Sequence, residues 1–256
     1  MPTRSEKIER TVLPLLVGSI GLTCWWAAVK LSRTNVFPSP LQVARGFVEL
    51  GRRGVLLRYF RDSMIRVGVG YGVAAGAAVP LGILMGSLDR VGRALSPLFQ
   101  VLRPISPLAW IPVAIVMFGV GNASPIFLIF LASLFPIVLA TMGGVRDVPR
   151  IYLQAGRNMG LNQEQILRRV VLPAALPQII SGLRIALGVA WIVLVAAEMI
   201  AVDSGLGYLI IDARNAGKRY DLVVAGMLLI GVVGLGLDWL LRLAENIRSV
   251  RWGFRS

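Results

Sequence analysis

Residues 154–173 read QAGRNMGLNQEQILRRVVLP, a polar segment set between two apolar runs at about 124–143 and 174–202. Each run is long enough to cross a bilayer, because about twenty helical residues cover its hydrocarbon core. A soluble-looking helical segment held between two spans is a natural docking element for a partner on one side of the membrane.

The rest of the chain is apolar. Of 256 residues, 56% are hydrophobic and 16% charged, with a mean hydropathy of +0.72. A soluble domain of this length has no core large enough to hide that much apolar surface. The expected fold is all-α: a polytopic membrane helix bundle of about six spans forming a single transmembrane domain over 1–256. The spans fall at about 12–31, 63–87, 98–120, 124–143, 174–202 and 222–243. No strand alternation of the outer-membrane-barrel kind is present. Lys7 and Arg10 before the first run allow a signal peptide as a rival reading. The length of that run and the interfacial pair Trp25-Trp26 favour a retained anchor. Residues 32–62 read as an amphipathic outer segment, a turn at Phe37-Pro38-Ser39-Pro40 followed by a helix lying along the membrane surface.

Small residues and prolines mark two of the spans. Gly68, Gly72 and Gly76 recur every four residues, as do Gly82 and Gly86. Such spacing lines one helical face and lets a neighbouring backbone come close. Pro104, Pro107 and Pro112 remove backbone donors from the third span and kink it. Broken helices persist at membrane depth where protein or a watery cavity covers them.

The formal charge of +14 comes from 27 Lys and Arg against 13 Asp and Glu. The basic residues cluster in loops flanking the spans, a membrane-protein pattern rather than a nucleic-acid one. With the N-terminus placed in the cytosol, fifteen lie inside: Arg4, Lys7, Arg10, Arg90, Arg93, Arg103, Arg146, Arg150, Arg157, Arg168, Arg169, Arg242, Arg248, Arg251 and Arg255. Ten lie outside: Lys30, Arg33, Arg45, Arg52, Arg53, Arg58, Arg61, Arg214, Lys218 and Arg219. The bias puts both termini in the cytosol. The outer charges either grip lipid phosphates or draw anions toward the entrance.

Several chemistries are excluded. The chain has no histidine and one cysteine, Cys24, so it has no His relay, His metal site or internal disulfide. A P-loop requires GxxxxGK[ST]. The lone Gly217-Lys218 pair is followed by Arg219, and Asp212 stands where the first glycine belongs. An ion-coupled carrier working without an ATPase is the alternative, but such carriers use intramembrane carboxylates. Only Glu198 is read here as lying well inside an apolar run. It either lines a pathway or gate, or locks the bundle by pairing with a helix N-terminus or a basic residue, with Arg66 a candidate. Arg184 is expected to snorkel toward the cytosolic interface. Trp110 and Ser106, between the prolines of the third span, are further pathway candidates.

The segment 154–173 resembles the "EAA" loop of permeases of type I ATP-binding-cassette importers. Gln154, Ala155 and Gly156 stand for the Glu-Ala-Ala triplet, Gly160 for the central glycine, and Val170, Leu172 and Pro173 for the closing Ile-x-Leu-Pro. Gln154 and Gly156 depart from the pattern, and the acid is lost. Over about 36–243 the chain is similar to the taurine, sulfonate and nitrate branch of that family. LFQVLRPISPLAWIPVAIVMFGVGNASPIFLI and LPAALPQIISGLRIALGVAWIVLVAAEMIAVDSGLGYLI carry much of the likeness. The resemblance implies an importer for a small anion, taurine or another aliphatic sulfonate first and nitrate or bicarbonate second. It also implies two permease copies, two cytosolic ATPases that use ATP and Mg, a periplasmic or lipid-anchored binding protein, and residence among lipids of a bacterial inner membrane. Neither a cofactor on this chain nor a nucleic-acid partner is implied.

In such a loop Gln154, Ala155, Gly156, Arg157, Asn158, Met159, Gly160 and Leu161 would dock the ATPase, with Arg157, Asn158 and Met159 at the tip. Gly160 can take positive φ and end the first helix. Asn162 stands three residues before Gln165, the spacing of a capping box. Leu172 and Pro173 would pass motion into the fifth span, with Pro173 breaking the chain before it.

Overall fold

The computed structural model describes residues 4–32, 37–52 and 54–245. The sequence readings on Arg33, Arg53, Arg248, Arg251 and Arg255, and on the C-terminus beyond 245, lie outside the described residues. The helices are α1 (Arg4–Ser32), α2 (Pro40–Arg52), α3 (Val55–Ser87), α4 (Asp89–Leu102), α5 (Ile111–Phe118), α6 (Ala123–Arg146), α7 (Arg150–Asn158), α8 (Gln163–Ile166), α9 (Leu172–Ala201), α10 (Leu206–Asn215) and α11 (Tyr220–Glu245). A 3₁₀ turn, Pro107–Trp110, precedes α5, and a π-turn, Leu167–Val171, joins α8 to α9. No strand occurs among the described residues.

Among the described residues, five helical stretches are long and apolar enough to cross a membrane: Val12–Ser32, Val55–Ser87, Ala123–Arg146, Gln163–Ala201 and Tyr220–Leu243. The bent pair Asp89–Leu102 and Pro107–Phe118 makes a sixth if counted as one span. That third span is more than kinked, because its two halves meet at 80°. Pro104 cannot donate a backbone bond; Ile105 N closes one last turn on Leu102 O at 3.1 Å, and the chain restarts where Ser106 accepts from Leu108 N and caps the 3₁₀ turn.

The contacts divide the chain into two compact units, residues 1–57 with 209–229, and 58–208 with 230–256. In the first, Val43, Gly46 and Leu50 are the buried face of α2, spaced three and four apart as an amphipathic helix requires. A Cβ on Gly46 would stand 3.1 Å from the carbonyl oxygen of Asp221, so α2 lies close against the start of α11. Arg219 Nη2 bridges Glu49 at 2.6 Å and Asp221 at 2.8 Å. Hydrogen bonds to Asp221, then to Glu49, hold its guanidinium above even its usual high pKa. The amphipathic segment is shorter than expected. It stops at Arg52, Gly54 turns the corner at φ +69°, and residues 55–62 are the first turns of α3.

In the second unit α6 packs along α3 on one side and α9 on the other. The face of α3 that meets α6 carries Gly70, Ala74, Ala78 and Gly82, all buried. A Cβ on Gly70 would lie 2.8 Å from Ile126 O, and one on Gly82 2.8 Å from Val138 O. The expected stripe of Gly68, Gly72 and Gly76 is not at this contact, since a Cβ on any of them would meet nothing within 4 Å. It is two residues out of phase with the packed stripe, or about 200° around the helix, and faces the other way. Met85, Ile137, Val138 and Ala186 form the core between the three helices.

Candidate functional site

The loop after α6 folds as a helical hairpin. α7 ends in a Schellman turn: Leu161 N donates to Gly156 O at 3.1 Å and Gly160 N to Arg157 O at 2.9 Å. Gly160 occupies the left-handed position, φ +77°. Asn162 then caps α8 in a complete capping box, with Gln165 N donating to its Oδ1 at 2.8 Å and its own N–H to Gln165 Oε1 at 3.0 Å. The hairpin stands on a hydrophobic base. Val145 and Val148 at the end of α6, Ile166 and Val171, and Ala175 and Ile179 of α9 form one buried cluster, on which Leu153, Leu161 and Val170 pack. Gly156 is buried on that side, while Gln154, Ala155, Arg157, Asn158, Met159 and Gly160 are exposed. The eight residues from Gln154 to Leu161 thus share one short element, rooted in two spans, with its polar side free.

Leu172 is half-buried and Pro173 exposed. The chain is not broken at Pro173, contrary to expectation. Leu172 N reaches back five residues to Leu167 O, and the helix continues through the π-turn into α9. Proline within the first two positions of α9 needs no amide partner, and the one widened turn absorbs the register change.

At the other end of α3, α6 and α9 lies a buried polar cluster. Arg66 Nη1 is 2.7 Å from Glu198 Oε1, with side chains 3% and 0% exposed. The same Nη1 donates to Ser204 O, Nη2 to Ser204 Oγ, both at 2.7 Å, and Nε to Asn122 Oδ1 at 2.8 Å. Ser63 Oγ donates to both oxygens of Glu198, at 2.8 and 2.9 Å, and accepts from Leu206 N at 2.9 Å. Gly207 N donates to Glu198 Oε2 at 3.0 Å. The carboxylate therefore meets both a cation and the amide end of α10, where a helix favours negative charge. Burying a charge this deeply is costly unless it is paired and hydrogen-bonded, as both partners are here. The cluster ties α3 to the turn between α9 and α10 and to the turn before α6, where Gly121 N donates to Ala201 O at 3.1 Å.

The structure brings Glu198 and Arg66 together but leaves Trp110 and Ser106 elsewhere. Trp110 packs against a cluster of Ile111, Ala114, Leu128, Val193 and Ala197. Ser106 is exposed at the helix break. Arg184 does not snorkel; its Nε pairs with Asp238 Oδ1 at 2.7 Å. Asp238, inside α11, is a second intramembrane carboxylate that the sequence reading passed over, masked by the apolar residues around it. Ser63, Asn122 and Ser204 were missed as well. Ser63 carried a usable signal, since it precedes Arg66 by three residues and so shares its helical face.

The family of binding-protein-dependent transport system inner membrane components matches residues 78–246. The chain belongs to this family. The bicarbonate transport system permease CmpB of Synechococcus elongatus is 37% identical over 256 residues, covering 93% of this permease and 90% of the relative. The taurine transport system permease TauC of Escherichia coli is 35% identical over 249 residues, covering 93% and 89%. The nitrate import permease NrtB of a Synechocystis strain is 35% identical, with the same coverage. Among solved structures, a chain of the MetNI methionine ABC transporter in inward facing conformations superposes with a TM-score of 0.63 at 21% identity. The match covers 78% of this permease and 97% of that chain. The fold is that of an ABC importer permease, as the sequence predicts, and the protein is a multi-pass membrane transport subunit rather than an enzyme.

Proposed function

We propose that this permease is the pore subunit of an ATP-driven importer of a small oxyanion, moved by a separate ATPase through the hairpin of residues 150–173. The observation that carries the reading is the hairpin itself. A Schellman turn, a capping box and a hydrophobic base hold it as one rigid piece on α6 and α9, while its polar side is unoccupied by this chain. A push on Arg157–Met159 then travels into α9 without a hinge, because the π-turn keeps the helix continuous past Pro173. Two ATPases closing on ATP and Mg would rock the spans between outward-open and inward-open states. ATP and Mg belong to those partners, and this chain binds neither.

The substrate class is supported by the relatives, which are named for bicarbonate, nitrate and taurine. A small anion is what those names share. The whole chain, 1–256, acts as one permease domain. It pairs with a second copy in the lipid of a bacterial inner membrane, receives substrate from a binding protein outside, keeps both termini in the cytosol and binds no nucleic acid. At the outer end, the Arg66–Glu198 cluster serves as a lock that keeps the α9–α10 turn fixed while the inner end moves.

The test is uptake of labelled taurine, nitrate and bicarbonate by proteoliposomes holding the permease with its neighbouring ATPase and binding protein. ATP-dependent uptake of one of the three is expected. Uptake that persists without any ATPase would support an ion-coupled carrier and overturn the proposal.

A further inference from the structure

Two cavities, of about 520 and 390 Å³, share Arg103 and Leu139 in their walls. The larger adds Met85, Ser96, Phe99, Gln100 and Met142. The smaller runs along Phe135, Pro136, Gly182, Ile185 and Val189, midway down α6 and α9. Together they form a cleft beside the break between α4 and the 3₁₀ turn. Among the described residues, Arg103 is the one charged residue lining either cavity.

Two further observations set this arginine apart. Arg66 of α3 and Arg184 of α9 are each paired with a carboxylate, and Arg146 of α6 donates to Met85 O. Among the described residues no carboxylate stands within pairing distance of Arg103. It also caps α4 at the break itself, its N–H on Phe99 O at 2.9 Å; residues 103–106 are exposed and 104–106 lie outside any helix. Backbone of this kind is tolerated at membrane depth where it lines a watery cavity. Arg103 is exposed into the cleft, and a guanidinium beside apolar walls acts through a lower effective dielectric than the same group in bulk water. Its fork matches the oxygens of a planar or tetrahedral oxyanion two at a time. Gln100 supplies a neutral amide donor in the same wall.

We propose that Arg103 is the anion-binding group of the translocation path, holding a small oxyanion by a two-pronged pair as it crosses the cleft. The proposal rests on the anion-import reading above and adds the residue that recognises the charge within the membrane. The same oxygen chemistry is offered by a lipid phosphate, so the test must separate a transported anion from a headgroup.

The test uses the full transporter in proteoliposomes. Arg103→Gln is expected to lower anion uptake about tenfold or more, as loss of a charged hydrogen bond would. Arg103→Lys, which keeps the charge but not the fork, should fall between. Co-elution with the ATPase on gel filtration reports that each variant is folded. A second measurement places Ser96→Cys, in the same wall with Arg103 intact, in a Cys24→Ser background and follows labelling of the new thiol. Nitrate, bicarbonate or taurine should slow labelling. Wild-type uptake by Arg103→Gln would overturn the role of Arg103 while leaving anion import standing. So would labelling that follows the anionic-lipid content of the vesicle and ignores the free anion. A wild-type transporter that carries none of the three anions, with no anion protecting the thiol, would end both readings.

Discussion

Arg66 and Glu198 lie 132 positions apart in sequence and 2.7 Å apart in space, at the end of the bundle away from the hairpin. Along α3, Arg66 is about 25 Å from Ile83, which packs on the base of the hairpin, at 1.5 Å per residue. The two polar constellations of this permease therefore occupy opposite ends of the same three helices, one pinned and one free to be pushed.

The pair should behave as a unit. Glu198→Gln leaves the Arg66 cation buried without its counter-charge, and a loss of about 3 kcal/mol of stability is expected. Arg66→Met should cost a similar amount. The double variant Arg66→Met/Glu198→Met should lose far less than the two single losses added together. Thermal unfolding of the detergent-solubilised protein measures all three, and strictly additive losses would refute the coupling.

Gly82 and Gly72 should respond oppositely to alanine. A Cβ on Gly82 crowds Val138 O and Thr141, so Gly82→Ala is expected to cost about 1–3 kcal/mol by overpacking. Gly72→Ala enters open space and should be neutral or slightly stabilising. Melting temperatures of the two variants, taken side by side, decide it.

Gly160 should tolerate asparagine and reject valine. Its φ of +77° is a conformation asparagine adopts more readily than β-branched residues. No atom stands within 4 Å of a Cβ there, so any defect would come from backbone strain rather than a clash. Gly160→Val should uncouple ATP hydrolysis from uptake, while Gly160→Asn should keep the ratio near that of the parent. Normal coupling in the valine variant would count against the rigid-lever account.

Gly156→Ala should stabilise the hairpin by about 0.5–1 kcal/mol, the helix-propensity difference. The new methyl would meet Ile166 and Val170 at 3.5 Å, an ordinary contact distance. Resistance of residues 150–173 to limited proteolysis should rise, and faster cleavage would contradict the packing described.

The hairpin was legible because its signals are local. The Schellman glycine, the capping box and the polar island all sit within twenty residues, and each has a fixed spacing. The Arg66–Glu198 pair was reachable by charge accounting, since a cation and an anion in apolar runs need partners. Its neighbours were not, because Ser63, Asn122 and Ser204 are ordinary residues until the fold brings them together. Of the glycines of α3, Gly82 and Gly86 do face α6, while the stripe of Gly68, Gly72 and Gly76 failed for a geometric reason. A period of four identifies a face but not what lies opposite, and Ala74 and Ala78 supplied the packed face as well as glycine would. Pro173 misled because proline's effect depends on where the helix begins, which a π-turn upstream had already changed.

The buried pair also bears on how the protein is made. Arg66 enters the bilayer with α3, and its counter-charge follows 132 residues later on α9. At about 5–20 residues per second, synthesis takes roughly 7 to 26 s to deliver it. During that interval the nascent chain carries an uncompensated guanidinium that water, lipid headgroups or an insertion chaperone must shield. A message truncated before Glu198 would leave it so permanently, marking the fragment for quality control.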